Sequence, residues 1–264
     1  MELDILTNIL RFISEEDMNS LSLVSTVLEV ARVRRDPVLW IHKIEDEFGI
    51  YPKLDHPLEN WRVVYRFLRR NGVDSLLISD KVSYVKLALD NGMDPTVNNN
   101  EPICWASQKG RVEVVRFLLE DPRVDPSANN NYAIQWASEN GYAEVVRLLL
   151  EDPRVDPSAN DNRGIKAASN NGHTEVVRLL LEDPRVDPTA NNNYALHWAS
   201  ENGRAEVVRL LLEDPRVNPT VDNNYAIRAA SDKGHTEVVR LLLEDPRVNP
   251  TANNNYALRW ASEN

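Results

Sequence analysis

Residues 191–221 read NNNYALHWASENGRAEVVRLLLEDPRVNPTV, and this stretch decides the fold of most of the chain. It opens on three asparagines, which favour a turn because asparagine tolerates left-handed backbone, and Asn193 is placed to cap the helix that follows. Small apolar residues then lie on one side of a short helix predicted over 194–202. Gly203 supplies a left-handed C-cap, so the chain is expected to reverse there.

A second helix is predicted over 204–213, where Glu206, Arg209 and Glu213 lie at i, i+3 and i+7 and apolar residues fill the remaining sides. Asp214-Pro215 ends this helix, because proline disfavours helical geometry in the residue before it and lacks the donor needed to continue. No single unit can bury a helix that is apolar on most sides. Neighbouring units must therefore stack and share one elongated core.

The same unit recurs with a period of 31 residues, marked by Glu-Val-Val-Arg beginning at Glu113, Glu144, Glu175, Glu206 and Glu237. Division at the asparagine clusters predicts full repeats over 98–128, 129–159, 160–190, 191–221 and 222–252, and a partial repeat over 253–264. A degenerate first repeat is predicted over 71–97, because Leu87 to Val97 echoes the end of each later unit. The expected fold class is all-α, a solenoid of helix-turn-helix units preceded by a small helical domain.

Composition excludes several classes of function. The chain has 41 acidic and 30 basic residues, a net charge of −11, which opposes binding to nucleic acid and to anionic membranes. Its one cysteine, Cys104, rules out an internal disulfide and a cysteine-based zinc site, and is interpreted as a small buried hydrophobe. The sequence carries neither a cleavable signal nor an apolar stretch of membrane-spanning length, which predicts an intracellular protein.

The repeat resembles a known family. Tyr194-Ala-Leu-His-Trp-Ala-Ser-Glu-Asn-Gly is similar to the ankyrin signature Thr-Pro-Leu-His-x-Ala-Ala-x-x-Gly, and Glu206-Val-Val-Arg-Leu-Leu-Leu is similar to the ankyrin second helix. This resemblance implies a binding protein rather than an enzyme. The period of 31 is shorter than the ~33 of common ankyrin repeats, and Asp-Pro replaces a glycine after the second helix. Shorter hairpin fingers are therefore expected.

The N-terminal segment resembles a second family, since Glu2 to Leu10, Asp17 to Ser25 and Asp36 to Trp40 are similar to an F-box in order and content. The resemblance implies an F-box-like domain over 1–45 and a connecting helical segment over 46–70. It also implies docking on the Skp-type adaptor of a cullin-RING ubiquitin ligase. The docking candidates are Ile5, Leu6, Ile9, Leu21, Leu23 and Val24. The alternative interpretation is an ordinary helical cap on the repeats.

An F-box followed by near-identical ankyrin repeats is similar to proteins of large DNA viruses of amoebae. This resemblance implies a protein that works in the cytoplasm of a host cell and captures a host target. A helix over Glu59 to Arg70 is similar to the one that often follows an F-box.

Positions that differ between otherwise identical repeats are the candidates for contact with a target protein. They are Gln135, Lys166, His197, Arg228 and Arg259; Tyr142, His173, Arg204 and His235; and Asn140, Asn171 and Lys233. Four tryptophans admit two interpretations, an aromatic ladder for a partner or packing between repeats that alternates with Ala167 and Ala229. They are Trp105, Trp136, Trp198 and Trp260.

No catalytic constellation is predicted. Carboxylates recur in every unit, as expected for framework residues, and the histidines have no second ligand at metal spacing. We therefore expect no cofactor and no metal. The repeats end one helix into the unit that begins at Asn253, which predicts a frayed last helix or a fragment of a longer product.

Overall fold

The computed structural model describes residues 37–50, 61–72 and 74–248, and it divides the chain into two compact units, 1–95 and 96–264. The described residues form helices and turns, with no β-strand among them. This confirms the predicted all-α class. Two groups of predicted features lie outside the described residues: the adaptor-docking candidates Ile5, Leu6, Ile9, Leu21, Leu23 and Val24, and the partial repeat 253–264 with Arg259 and Trp260.

The first unit is a small helical core. It contains α1 (Pro37–Phe48), α2 (Trp61–Asn71), a 3₁₀ turn (Asp74–Leu76) and α3 (Val82–Asp90). Helix α2 confirms the helix predicted over Glu59 to Arg70, whereas α1 crosses the domain boundary predicted at residue 45. Side chains from all these elements share one buried cluster, so the unit depends on residues well beyond position 70. The cluster comprises Ile41, Ile44, Ile50, Val64, Leu68, Leu76, Leu77, Tyr84, Leu87 and Ala88.

The second unit is a row of helix pairs, as the 31-residue period predicts. The pairs are α4 (Val97–Gln108) with α5 (Val112–Leu119), α6 (Ala128–Glu139) with α7 (Ala143–Glu151), α8 (Ala159–Asn171) with α9 (Thr174–Glu182), α10 (Ala190–Glu201) with α11 (Ala205–Glu213), and α12 (Val221–Asp232) with α13 (Thr236–Glu244). Each first helix packs beside the next first helix, and each second helix beside the next second helix. The buried stripes of neighbouring pairs thus form a continuous core.

The turn between the helices of a pair follows the prediction. Gly203 has φ +70°, and the backbone N–H of Arg204 donates to the carbonyl of Ala199 at 2.8 Å, the long-range bond of a Schellman C-cap. Helix α11 ends at Glu213, and Asp214 before the proline is extended, with ψ 118°.

Near the start of each first helix, directly after its first residue, lie three consecutive residues with left-handed backbone, all asparagine or aspartate, with φ between 50° and 62°. The third residue is buried. In α6, Asn131 Oδ1 accepts a hydrogen bond from the backbone N–H of Asp156 at 2.7 Å. Asn193 accepts in the same way from Asn218 at 3.2 Å. The prediction that Asn193 caps the helix is therefore wrong. Its side chain instead accepts a hydrogen bond from the loop at the end of its own repeat.

The Asp-Pro-Arg-Val loops are joined by their arginines. Arg216 donates to Asp214 through Nε at 3.0 Å and Nη2 at 2.6 Å, and its Nη1 donates to the carbonyl of Val186, in the preceding repeat, at 2.9 Å. Equivalent bonds to the preceding repeat recur along the unit. We call these residues the arginine row: Arg154, Arg185, Arg216 and Arg247.

Candidate target-binding surface

The exposed face of the first helices carries the candidate site. On α10, Tyr194, Trp198 and Glu201 lie at i, i+4 and i+7 and so share one side of the helix. Packed helix axes are typically about 8–10 Å apart, so the equivalent positions of successive first helices form one continuous surface. We call it the first-helix face. The equivalent residues are Tyr132, Trp136 and Glu139 on α6, Arg163, Ala167 and Asn170 on α8, and Tyr225, Ala229 and Asp232 on α12.

Aromatic side chains meet on this face at α10 and α12. The ring of Tyr194 lies 5.5 Å from that of Trp198, and the ring of His197 lies 4.6 Å from that of Tyr225. Tyr194 is 41% exposed and Trp198 is 37% exposed, whereas His197 is buried. We call Tyr194, Trp198 and Tyr225 the aromatic patch. Exposed aromatic rings that lie close together are typical of residues that contribute most to protein interfaces.

Two hollows lie on this face where the tryptophan position is occupied by alanine. The Ala167 pocket, of 510 Å³, is lined by Glu139, Asn160, Arg163, Lys166, Ala167, Asn170, Asn171 and Trp198. The Ala229 pocket, of 290 Å³, is lined by Glu201, Tyr225, Arg228, Ala229, Asp232 and Lys233. The two alanines lie 62 residues apart in sequence, which is two repeats, and the repeat between them has Trp198 at the same position.

The polar groups of the two pockets differ. In the Ala167 pocket Arg163 Nη2 lies 3.2 Å from Glu139 Oε2 and forms a salt bridge. In the Ala229 pocket the arginine is replaced by Tyr225, whose hydroxyl donates to Glu201 Oε2 at 3.2 Å. Burial, followed by the negative charge of Glu201, raises the pKa of Tyr225. The first pocket therefore has more positive charge than the second.

The first group of predicted contact residues is less accessible than expected. Gln135, Lys166 and His197 are buried and Arg228 is half-buried, while Arg259 lies outside the described residues. Gln135 shows the reason, because its Nε2 donates to the carbonyl of Asn130 at 2.5 Å and its Oε1 accepts from Asn160 Nδ2 at 3.1 Å. The position lies under two successive asparagine turns. Sequence variation there changes what is packed beneath the turns, and at Lys166 it also changes the lining of the Ala167 pocket.

The second group joins successive repeats. His173 Nε2 donates to the carbonyl of Glu139 at 3.0 Å, Arg204 Nε to that of Asn170 at 3.0 Å, and His235 Nε2 to that of Glu201 at 2.9 Å. Each of these side chains, like Tyr142, also covers the glycine that follows the first helix of the preceding repeat. Variation at these positions therefore changes the contacts between successive repeats. Tyr142 and Arg204 are nevertheless exposed.

The third group, Asn140, Asn171 and Lys233, is exposed, and two of its members line the pockets. Asn171 Nδ2 donates to the carbonyl of Glu139 at 2.8 Å and lies at the Ala167 pocket, while Lys233 lies at the Ala229 pocket. Asn140 Nδ2 donates to the carbonyl of Trp136 at 2.8 Å.

The described tryptophans are not equivalent. Trp105 and Trp136 are half-buried, whereas Trp198 is 37% exposed. Trp105 and Trp136 also occur in consecutive repeats. Packing of a tryptophan at this position therefore does not require an alanine at the same position of the next repeat, as strict alternation would. Packing remains the interpretation for these two residues, and availability to a partner remains the hypothesis for Trp198.

Sequence reasoning missed Tyr194 and the pair formed by Glu139 and Arg163. A signal was present, since Arg163 stands where Tyr132, Tyr194, Tyr225 and Tyr256 occur in other repeats, and Glu101 is the other exception. A departure from a repeated residue on an exposed helical face marks a position where a binding surface can be specific.

Other kinds of site have little support in the ranges that the structure describes. No group of three or more His, Cys, Asp or Glu residues there is arranged to hold a metal ion. Cys104 is half-buried, and burial raises the pKa of its thiol, which disfavours the reactive thiolate. Among the same residues, no helix combines the length and apolar character needed to cross a membrane.

These features define a scaffold of stacked helical repeats. Models of ankyrin repeats match residues 76–161 and 160–223 as a block of repeats, and residues 222–255 as a further repeat. The matches together span about two thirds of the chain, and the protein belongs to the ankyrin-repeat family. Members of this family are generally binding scaffolds rather than enzymes. The first match begins inside the predicted degenerate repeat 71–97.

No curated protein matches the chain. No F-box model matches the N-terminal segment, so the F-box resemblance rests on the residues of that segment alone.

Proposed function

We propose that the ankyrin unit captures a target protein on its first-helix face, with the aromatic patch as the centre of the contact. The observation that carries this proposal is the exposure of Tyr194 and Trp198 beside one another, with Trp198 also lining the Ala167 pocket. Large aromatic side chains that are already ordered lose little conformational freedom on binding. The negative net charge of −11 favours a protein target over nucleic acid.

The test is proximity labelling in cells. It compares the proteins labelled when the intact chain is expressed with those labelled when a Tyr194→Ala/Trp198→Ala variant is expressed. We expect a specific set of proteins to be lost by the double variant. The matched control is Leu243→Ala, which removes a 43% exposed apolar side chain from a second helix. An unchanged set of labelled proteins in the double variant, with its fold intact by circular dichroism, would refute the proposed face.

We further propose that the N-terminal segment recruits the Skp-type adaptor of a cullin-RING ubiquitin ligase, so that the captured target is ubiquitinated. This would take place in the cytoplasm, and in the cytoplasm of the host cell if the protein is viral. This proposal is supported by the F-box-like order of residues 2–40. The docking candidates remain the apolar residues named from the sequence.

The adaptor proposal is tested by mixing the intact chain with the purified adaptor and measuring a one-to-one complex by light scattering. A fusion of residues 1–95 to a soluble carrier should give the same complex. The cut is placed after residue 95 because Leu76, Leu77 and Leu87 belong to the core of the first unit. Failure of both helical proteins to bind the adaptor would favour the alternative, a binding scaffold or decoy with no connection to ubiquitin.

A further inference from the structure

The Ala167 pocket contains a cation that forms no salt bridge with any described residue. Lys166 is 8% exposed and lines this pocket. Among the described residues, none accepts a hydrogen bond from its ammonium group or forms a salt bridge with it within 4.0 Å. Burial lowers the pKa of Lys166, and the more distant charge of Asp161 only partly opposes this effect. Because no carboxylate among the described residues is paired with this ammonium group, an anionic group of a partner can balance its charge.

The acidic residue of the same pocket is already neutralised. Glu139 forms its salt bridge with Arg163 at 3.2 Å, so its carboxylate does not balance the charge of Lys166. The remaining side chains around Lys166 are the neutral Asn160, Asn170 and Asn171, with Ala167 beside it and the indole of Trp198 on one side. The pocket therefore has an uncompensated positive charge together with an apolar wall, although the whole chain is acidic.

We propose that the Ala167 pocket receives an aspartate or glutamate side chain from the protein bound on the first-helix face, and that Lys166 donates to its carboxylate. Trp198 contacts the methylene groups of the same side chain. This inference rests on the proposed target-binding face and specifies one feature of the target. The long-range repulsion from the acidic chain is screened over about 8–10 Å in physiological salt, whereas a contact inside the pocket is not.

The Ala229 pocket provides an internal comparison. Arg228 replaces Lys166, but its Nη2 donates to the carbonyl of Asp222 at 3.2 Å, and Asp232 adds a negative charge to the lining. Glu201 accepts a hydrogen bond from the hydroxyl of Tyr225, a neutral group that does not balance a carboxylate charge. The charged residues lining this pocket balance, so we expect no preference for an acidic side chain there.

The experiment uses a library of random peptides displayed on phage and selected on the intact chain. Two variants copy residues that the repeats already hold at these positions, so their folds should be preserved. Lys166→Gln copies Gln135 and removes the charge, and Ala167→Trp copies Trp136 and fills the pocket. Lys233→Gln, at the Ala229 pocket, is the matched control.

The wild-type chain and Lys233→Gln should both select peptides with aspartate or glutamate fixed at one position. Lys166→Gln and Ala167→Trp should lose that preference. A selected peptide should bind Lys166→Gln about tenfold or more weakly than it binds the wild type, as expected for loss of a charge-assisted hydrogen bond. For its Glu→Gln version the difference between the wild type and Lys166→Gln should be much smaller, because a neutral amide accepts only a weaker hydrogen bond from Lys166.

Selected peptides without an acidic position, or an acidic position retained by Lys166→Gln, would overturn this inference and leave the target-binding face intact. Recovery of no peptide by the wild-type chain would count against both proposals. Circular dichroism and urea unfolding verify the fold of each variant before selection.

Discussion

The loops that join the repeats and the first-helix face are built from the same 31-residue unit, but they use repetition differently. The loops repeat the same contacts. The side chains of Asn100, Asn131, Asn162 and Asn193 each accept a hydrogen bond from a loop N–H, and each member of the arginine row donates to a loop carbonyl. The first-helix face changes at α8, where Arg163 and Ala167 replace tyrosine and tryptophan. Contacts that hold the stack together favour identical side chains, whereas binding of one target requires local differences.

If this division is correct, substitutions in the repeated contacts should mainly lower stability, and substitutions on the first-helix face should mainly change binding. The following variants test the division, in order of decreasing expected effect.

Gly203→Ala should be strongly destabilising. The residue has φ +70°, and an added Cβ would lie 2.7 Å from Nδ1 of His235 in the next repeat. Left-handed backbone and overpacking each cost about 1–2 kcal/mol, so we expect a loss of roughly 3 kcal/mol in urea unfolding. Gly234→Ala is the control, since it has φ +71° but no described atom within 4 Å of an added Cβ.

The control should lose only about 1 kcal/mol, the cost of the backbone conformation. Equal losses in Gly203→Ala and Gly234→Ala would show that the contact between the glycine and the next repeat contributes nothing. The variable residue at 235 would then be free to serve binding instead of stacking.

Asn131→Ala should cost about 2 kcal/mol more than Asn130→Ala, because it leaves the backbone N–H of Asp156 without its acceptor. Both residues have left-handed backbone, with φ 62° and 58°, so the backbone cost cancels in the comparison. Asn130 is exposed. Urea midpoints of the two variants measure the difference. Equal midpoints would mean that asparagine occupies the third position only for its backbone preference.

Arg216→Gln should lose about 1 kcal/mol at neutral pH, because it removes hydrogen bonds to Asp214 and to the preceding repeat. Its control is Arg209→Gln, whose exposed salt bridges contribute about 0–0.5 kcal/mol. Bonding to Arg216 lowers the pKa of Asp214. A carboxylate whose pKa is lower in the folded state stabilises the fold at pH values above its unfolded pKa of about 3.9. This stabilisation is lost as pH falls from that value through the lower pKa of the folded state.

The difference in stability between wild type and Arg216→Gln should therefore shrink as pH falls below about 4. A difference that stays constant down to acid unfolding would contradict the role assigned to the Asp214 contact. Urea unfolding at a series of pH values gives both results from one set of samples.

The sequence predicted the helix pairs well, because the 31-residue period, Gly203 and Asp214-Pro215 are local signals. It did not predict the bond from Asn193 to Asn218, which joins residues 25 positions apart through a tertiary contact. Nor did it separate the neighbouring positions of a first helix. His197 lies beneath a turn while Trp198 is exposed, and one step along a helix rotates a side chain by about 100°. Variation alone could not show which of the two positions faces a partner.

His197→Gln should have the smallest effect, and it tests whether a variable position can contribute to stability without binding a target. Burial, the largest cause, lowers the pKa of His197, and its Nε2 has no hydrogen-bond partner among the described residues. Asp222 opposes the shift and Arg228 adds to it. Because the unfolded histidine takes up a proton near pH ~6.5 and the folded one resists it, stability should fall as pH drops through that range. Glutamine, which Gln135 shows to fit this position, cannot be protonated there.

The free energy of unfolding of the wild type relative to that of His197→Gln, measured in urea, should therefore decrease from about pH 7.5 to about pH 5.5. An advantage that grows at lower pH would mean that the charged imidazole is favoured in the fold, and that this position is open to a negatively charged partner.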